Sequence, residues 1–121
     1  MLNKGLRTKE SERIDNVLKT LLSLVFVPEK EVEIEETLKD FGLNIESLIA
    51  IPNDDLILLL DRLHLDWNQQ EQFSNFLVAF SKENSFDLTD KAIAVYNHIQ
   101  TDSKTFSFEI FNKIILAKAS L

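Results

Sequence analysis

The sequence predicts an all-α fold, a compact bundle of six or seven short helices, and three observations lead there. Apolar residues recur at intervals of three and four along most of the chain, which places them on one side of a helix. Only two Gly and two Pro occur in 121 residues, too few for the many tight turns of an all-β domain. Hydrophobic residues make up 45%, with nine Phe among them, enough for one core in a domain of this length.

The elements follow in order. Residues 1–10 read as a flexible N-terminal segment and 11–121 as a single helical domain. A first helix is expected over 11–26, where Ile14, Val17, Leu18, Leu21, Leu22 and Val25 form one stripe. Pro28 ends it, because the residue before a proline is pushed out of helical angles. Residues 29–41 are ambiguous. Val32 and Ile34 alternate with glutamates as in a strand, whereas Ile34, Leu38 and Phe41 fit a helix. Helix is preferred, since no second strand is available to pair with, and Gly42 suits a left-handed cap. Asn44 caps a short helix holding Ile45, Leu48 and Ile49.

After Ile51-Pro52, Asn53 is a good N-cap and Asp54 and Asp55 favour a first turn. The run Leu56, Ile57, Leu59, Leu60, Leu63 is apolar nearly all round, which predicts a helix near the middle of the core. Asp66 caps the next helix, with Trp67, Gln70, Phe73, Phe76, Leu77 and Phe80 as its buried face. Residues 84–89 connect. A helix starting at Asp87 or Thr89 carries Ala92, Ile93, Tyr96 and Ile99. The last, starting near Thr105 or Ser107, carries Phe108, Phe111, Ile114 and Ile115.

Composition narrows the functional classes. There is no Cys, so disulfides, thiolate nucleophiles and cysteine-held metals are excluded, and a reducing cytoplasm is the expected location. The net charge is −7, which phosphate backbones repel unless a basic patch is segregated. The candidate patch, Lys4, Arg7, Lys9 and Arg13, is diluted by Glu10 and Glu12, so no nucleic-acid partner is expected. No apolar run approaches the roughly 18 residues of a membrane span. The first run follows a polar stretch without a small-residue cleavage site, so neither membrane nor signal peptide is expected.

The C-terminal part resembles a tetratricopeptide-type arrangement. Ala92-x3-Tyr96-x2-Ile99 is similar to the second helix of such a repeat. Phe76, Leu77 and Phe80 recur 34 positions later as Ile110, Phe111 and Ile114, and 34 is that family's period. The closing Pro is absent, and Lys104 stands near its place. The whole chain also resembles a group of small uncharacterised bacterial helical proteins, through Phe41-Gly42-Leu43, Leu48, Asp54-Asp55-Leu56, residues 91–96 and residues 104–108. That resemblance implies a helical fold and a scaffold-like role, and it carries no functional residues over.

Chemical motifs are sparse. Gly5 and Gly42 stand alone, so phosphate-cradling loops and the nucleophile elbow are excluded. Asp61-x-x-His64 places a carboxylate and an imidazole on one helical face, but di-iron bundles need two such pairs. No metal and no cofactor is expected. His98 lies near a helix end, where a capping contact is the expected role and a pH switch or base the alternative. Glu31, Glu33, Glu35, Glu36 and Asp40 read as a solvated face, with a basic partner as the alternative. Trp67 either packs inward or anchors a partner. Phe106 and Phe108 cannot both face inward with Phe111, because residues two apart point to different sides.

The function expected from these readings is a non-catalytic helical protein–protein interaction or scaffold module. Its partner face would comprise Trp67, Tyr96, Phe108, Phe111 and Ile115, binding a protein partner or a second copy of the chain. The alternative is a small helical-bundle enzyme or a metal- or ligand-binding protein, for which Asp61 and His64 are the nearest pair.

Overall fold

The computed structural model describes residues 9–84 and 87–121, and its helices begin and end where local chemistry directs. They are α1 (Lys9–Leu24), α2 (Glu31–Leu38), α3 (Ile45–Ala50), α4 (Asn53–Arg62), α5 (Trp67–Glu83), α6 (Thr89–Asp102) and α7 (Phe108–Ala119), with a 3-10 turn, Lys39–Phe41, extending α2. No strand occurs among the described residues. The fold class is therefore all-α, as the sequence predicts. Lys4, Arg7 and Phe86, and most of the segment read as flexible, lie outside the described residues. Lys9 and Glu10 already belong to α1.

Several caps form as expected. The Asn44 side chain accepts from the Ser47 N–H at 2.7 Å while Ser47 Oγ accepts from the Asn44 N–H. The Asp66 carboxylate accepts from the Gln69 N–H at 2.8 Å, and Gln69 Oε1 accepts from the Asp66 N–H. Both are reciprocal capping boxes that satisfy otherwise orphaned donors. Gly42 takes a left-handed φ of 73°, and the Leu43 N–H donates to Leu38 O at 3.1 Å, closing the Schellman pattern. Asn53 departs from expectation. It lies inside α4, Pro52 holds the cap position, and the Asn53 amide instead donates to Asp90 at 3.3 Å.

Residues 31–41 are helical, with Glu29 and Lys30 left in the turn before them, and the strand-like alternation dissolves on burial. Ile34, Leu38 and Phe41 face the core, whereas Val32 points outward.

α5 is the axis of the core. α1 packs on one side of it and α6 on the other; α6 also carries α4 and α7, and α1 carries α2. Its buried face includes Phe73, Phe76, Leu77 and Phe80. The rings run as a ladder, with Phe41 edge-on to Phe73 at 5.5 Å and Phe76 stacked on Phe80 at 5.2 Å. Such ring pairs add about 0.5–1.5 kcal/mol each beyond area burial. Ala92 is fully buried, and this small side chain sits on α6 where that helix approaches its neighbours. Gln69 ties α1 to α5. Its amide nitrogen donates to Asp15 Oδ1 at 2.9 Å and to Ser11 O at 3.1 Å.

α4 corrects the expectation of a central helix. Leu56 and Leu60 are buried, but Ile57, Leu59 and Leu63 are only half-buried and Leu58 is exposed. The helix covers α6 at the edge of the bundle, with Ile57, Leu59 and Leu63 packed against the margin of the core and Leu58 in solvent.

Candidate functional site

The site grows from the start of α7. Gln100, near the end of α6, clamps Ser107 in both directions: its amide nitrogen donates to Ser107 O, and its Oε1 accepts from the Ser107 N–H, each at 2.9 Å. The Ser107 hydroxyl in turn accepts from the Ile110 N–H at 3.2 Å. A side-chain oxygen at this position satisfies a free helix donor, so the entry angle of α7 is set by α6.

From that start the periodicity decides which side chains are covered. Ile110, Ile114 and Ala117 fall on one face and are buried. Phe108, Phe111 and Ile115 fall on the opposite side and are exposed, Phe108 by 76%. Phe106, in the connection, joins them. Its ring meets Phe108 edge-on at 4.9 Å and Phe111 at 5.7 Å. Phe106 thus links three aromatic rings at the surface, with Ile115 on the same side of α7. Leu116 is exposed toward a small cleft of about 120 Å³ between α7 and α5, lined also by Val78, Lys82 and Tyr96. Lys113 on this flank pairs with Glu71 of α5.

Of the five residues expected to form a partner face, Phe108, Phe111 and Ile115 share one exposed side of α7. Trp67 is the first residue of α5, 39% exposed, with its ring edge-on to His98 at 5.5 Å. Among the described residues it joins no Phe ring. Tyr96 is a correction. Its side chain is buried, 2% exposed, and its hydroxyl donates to Asn75 Oδ1. Burial, with the Glu71 carboxylate as a smaller cause, pushes the phenol pKa well above its usual value. The spacing that places Tyr96 on the α5-facing stripe of α6 also removes it from the surface.

The Asp61–His64 pair is not formed. α4 ends at Arg62, and His64 takes the left-handed φ of 62°. Its N–H donates to Asp61 O at 3.0 Å and the next N–H, of Leu65, to Leu60 O at 3.2 Å. His64 thus stands at the position a glycine usually takes in a Schellman cap, and its side chain leaves the helix face. Asp61 faces His98 instead, with Oδ2 3.2 Å from Nε2. His98 Nδ1 lies 3.5 Å from Asp102, and Gln70 donates to Asp61 Oδ1 at 2.9 Å. This polar cluster joins α4, α5 and α6. The clefts of about 270 and 300 Å³ elsewhere on the molecule are lined by none of its members. No group of three His, Asp or Glu side chains is gathered for a metal among the described residues.

The acidic stretch 29–40 divides into two parts. Glu33 meets Lys30 at 3.5 Å, Glu36 meets Lys39 at 2.7 Å and Asp40 meets Arg13 at 3.3 Å. Glu35 accepts from the Ile45 N–H. These contacts bind the stretch to itself and to α1 and α3. Glu29 and Glu31 face solvent.

Sequence reasoning missed the Asp61–His98 contact. Its members lie 37 positions apart, and no local pattern links them. The exposed rings of α7 were legible from the conflict between residues 106, 108 and 111. No helix among the described residues is long and apolar enough to cross a membrane. Comparison with known proteins brings no match: no family model, no curated protein and no solved structure corresponds to the chain.

Proposed function

We propose that the chain is a non-catalytic helical interaction module that receives a partner's apolar side chains on the outer face of α7. One observation carries the reading. Phe106, Phe108 and Phe111 form a three-ring cluster in solvent, continued by Ile115, on a helix whose other side is fully packed. At roughly 200 Å² for a large side chain, the exposed parts of these four side chains come to about 450 Å². The largest apolar patch on a single molecule is typically about 300–600 Å² and is often functional. Aromatic anchors are also the residue types that dominate binding energy.

A tetratricopeptide-like scaffold is part of this proposal. α5, α6 and α7 succeed each other as packed neighbours, with the small Ala92 and the aromatic Tyr96 on the middle helix. The 34-residue correspondence holds at Ile110 and Ile114, which are buried like Phe76 and Phe80. It departs at Phe111, which is exposed where Leu77 is buried. That departure turns a packing position into a surface one, as a helix that ends a stack and offers its free face requires.

Capture from a native lysate of the source cells tests the proposal. The parent chain is compared with the double variant Phe108→Asp, Phe111→Asp, after circular dichroism shows equal helicity. The expected result is a protein, or the chain itself, held by the parent and lost from the variant. Equal capture by both sinks the reading.

A further inference from the structure

Two helices run parallel at the edge of the bundle. Asn53 of α4 meets Asp90 of α6, Asp61 of α4 meets His98 of α6, and both pairs lie 37 positions apart. α4 and α6 therefore lie start beside start and end beside end. At the start, the Lys91 ammonium also donates to Ile51 O at 2.6 Å. At the end, the contact passes through His98. The C-terminus of a helix carries partial negative charge, and two such ends converge here. Asp61 stands in the last turn of α4 and Asp102 closes α6, so a carboxylate is added to each.

His98 sits between these charges, its side chain 11% exposed. Nε2 lies 3.2 and 3.3 Å from the two oxygens of Asp61, and Nδ1 lies 3.5 Å from Asp102. From α5, the Trp67 ring stands edge-on at 5.5 Å, and the Gln70 amide holds Asp61 from the other side, donating to Oδ1 at 2.9 Å. The other charged groups of the neighbouring helices are engaged or placed elsewhere. Arg62 of α4 is exposed, Asp54 and Asp55 lie in the first turn of α4, Asp66 caps α5, and Glu71 of α5 pairs with Lys113 of α7. A neutral imidazole has one N–H, and its other nitrogen offers a lone pair. Both nitrogens of His98 face carboxylates, so a neutral ring turns a lone pair toward an anion whichever tautomer it adopts. The imidazolium has a donor for each.

We propose that His98 is a proton-operated clip on α4. As the imidazolium it ties the end of α4 to α6, with Asp61 on one nitrogen and Asp102 facing the other. When the proton leaves, the tie fails and the end of α4 loosens, beginning beside Leu60, the fully buried neighbour of Asp61. The tie at the start of α4 is made without histidine, so the opening is confined to one end. The two carboxylates face the ring only in the folded chain, so the proton stabilises the fold. That stability is complete toward the acid end of about pH 5–8, the range in which histidine changes charge, and is lost toward the alkaline end. Asp61 and Asp102 are 42% and 53% exposed. Solvent therefore keeps the gain near that of a surface ion pair, about threefold in the folding equilibrium. The clip lies on α4 and α6 and does not depend on the reading of α7.

Urea denaturation of the full chain at about pH 5.5 and about pH 8, either side of the histidine range, tests the clip. Emission from Trp67, the sole Trp of the chain, gives a second readout beside the ring, since an imidazolium quenches an adjacent indole. The parent is expected to have a folding constant about threefold larger at the lower pH, with Trp67 emission falling as His98 gains its proton. His98→Gln is expected to lose both dependences. His64→Asn, at the only other histidine, is expected to keep both. Asp102→Asn changes an exposed residue, so it folds whatever His98→Gln does, and it is expected to narrow the gap in stability between the two pH values. Equal stability of the parent at both overturns the proposal. So does a gap that survives His98→Gln, or one that keeps its full width in Asp102→Asn.

Discussion

α5 and α7 are both amphipathic by sequence, and they meet opposite fates. α5 has helices on two sides, α1 and α6, and buries seven residues, among them Phe73, Phe76 and Phe80. α7 packs on α6 and buries three, Ile110, Ile114 and Ala117, while Phe108, Phe111 and Ile115 stay in solvent. Phe content does not separate the two. What separates them is the number of neighbours, and a ring contributes to stability only where neighbours exclude water from it. The same side chain is therefore a fold determinant on one helix and a recognition element on the other.

The largest expected effect breaks this comparison directly. Phe73→Ala removes a ring that touches Phe41 and Phe76 and leaves a cavity, costing about 3–5 kcal/mol. Phe108→Ala, on a residue 76% exposed, costs less than about 0.5 kcal/mol. Urea denaturation of both variants reads the difference; comparable losses would mean that α7 is covered in solution.

A second effect lies between the two helices, at Tyr96. This is the sole Tyr of the chain, and burial holds its phenol pKa above the ordinary value of 10. The folded state therefore holds the proton more tightly than the unfolded one. The associated stability is complete below pH 10 and is lost as pH rises beyond it. Absorbance at 295 nm is expected to rise together with loss of helicity, not near pH 10 in a molecule still folded. Tyr96→Phe leaves Asn75 Oδ1 without its donor, at a cost of about 1–2 kcal/mol. An ordinary titration with helicity intact would show that the ring is open to water.

Smaller effects sharpen the account of α4 and α5. His64 pays left-handed strain of about 1 kcal/mol at φ 62°, and glycine adopts that angle freely. His64→Gly is therefore expected to raise stability slightly, by up to about 1 kcal/mol. A clear loss would show that the His64 side chain makes a contact that matters. Ser74 is fully buried on α5, and its hydroxyl has no hydrogen-bond partner. Ser74→Ala removes an unsatisfied polar group and is expected to stabilise by about 0.5 kcal/mol, read as a rise in Tm. A fall would point to a water held at that hydroxyl.

Local signals carried much of the fold. Asn44, Asp66, Gly42 and Ser107 each act within a few residues of themselves, through caps whose geometry needs no distant partner, and all four do what their neighbours in sequence imply. The stripe Phe73, Phe76, Leu77, Phe80 was equally legible, because a helix repeats its faces at three and four residues whatever lies opposite. The candidate site was half legible. The conflict among Phe106, Phe108 and Phe111 follows from helix geometry alone, so some of these rings had to be exposed. Tyr96 shows where that reasoning stops. Periodicity assigned it to a face without saying whether the face is covered, and α5 covers it.

What the sequence determined by itself is the set of helices, most of their caps and the faces they offer, since hydrogen bonds and side-chain spacing act over one or two turns. Which faces are paired belonged to the tertiary structure alone. It moved α4 to the edge, turned Asp61 from His64 to His98, buried Tyr96 and left the rings of α7 bare. Those outcomes depend on residues tens of positions apart excluding water from each other, and no window of the chain holds both partners.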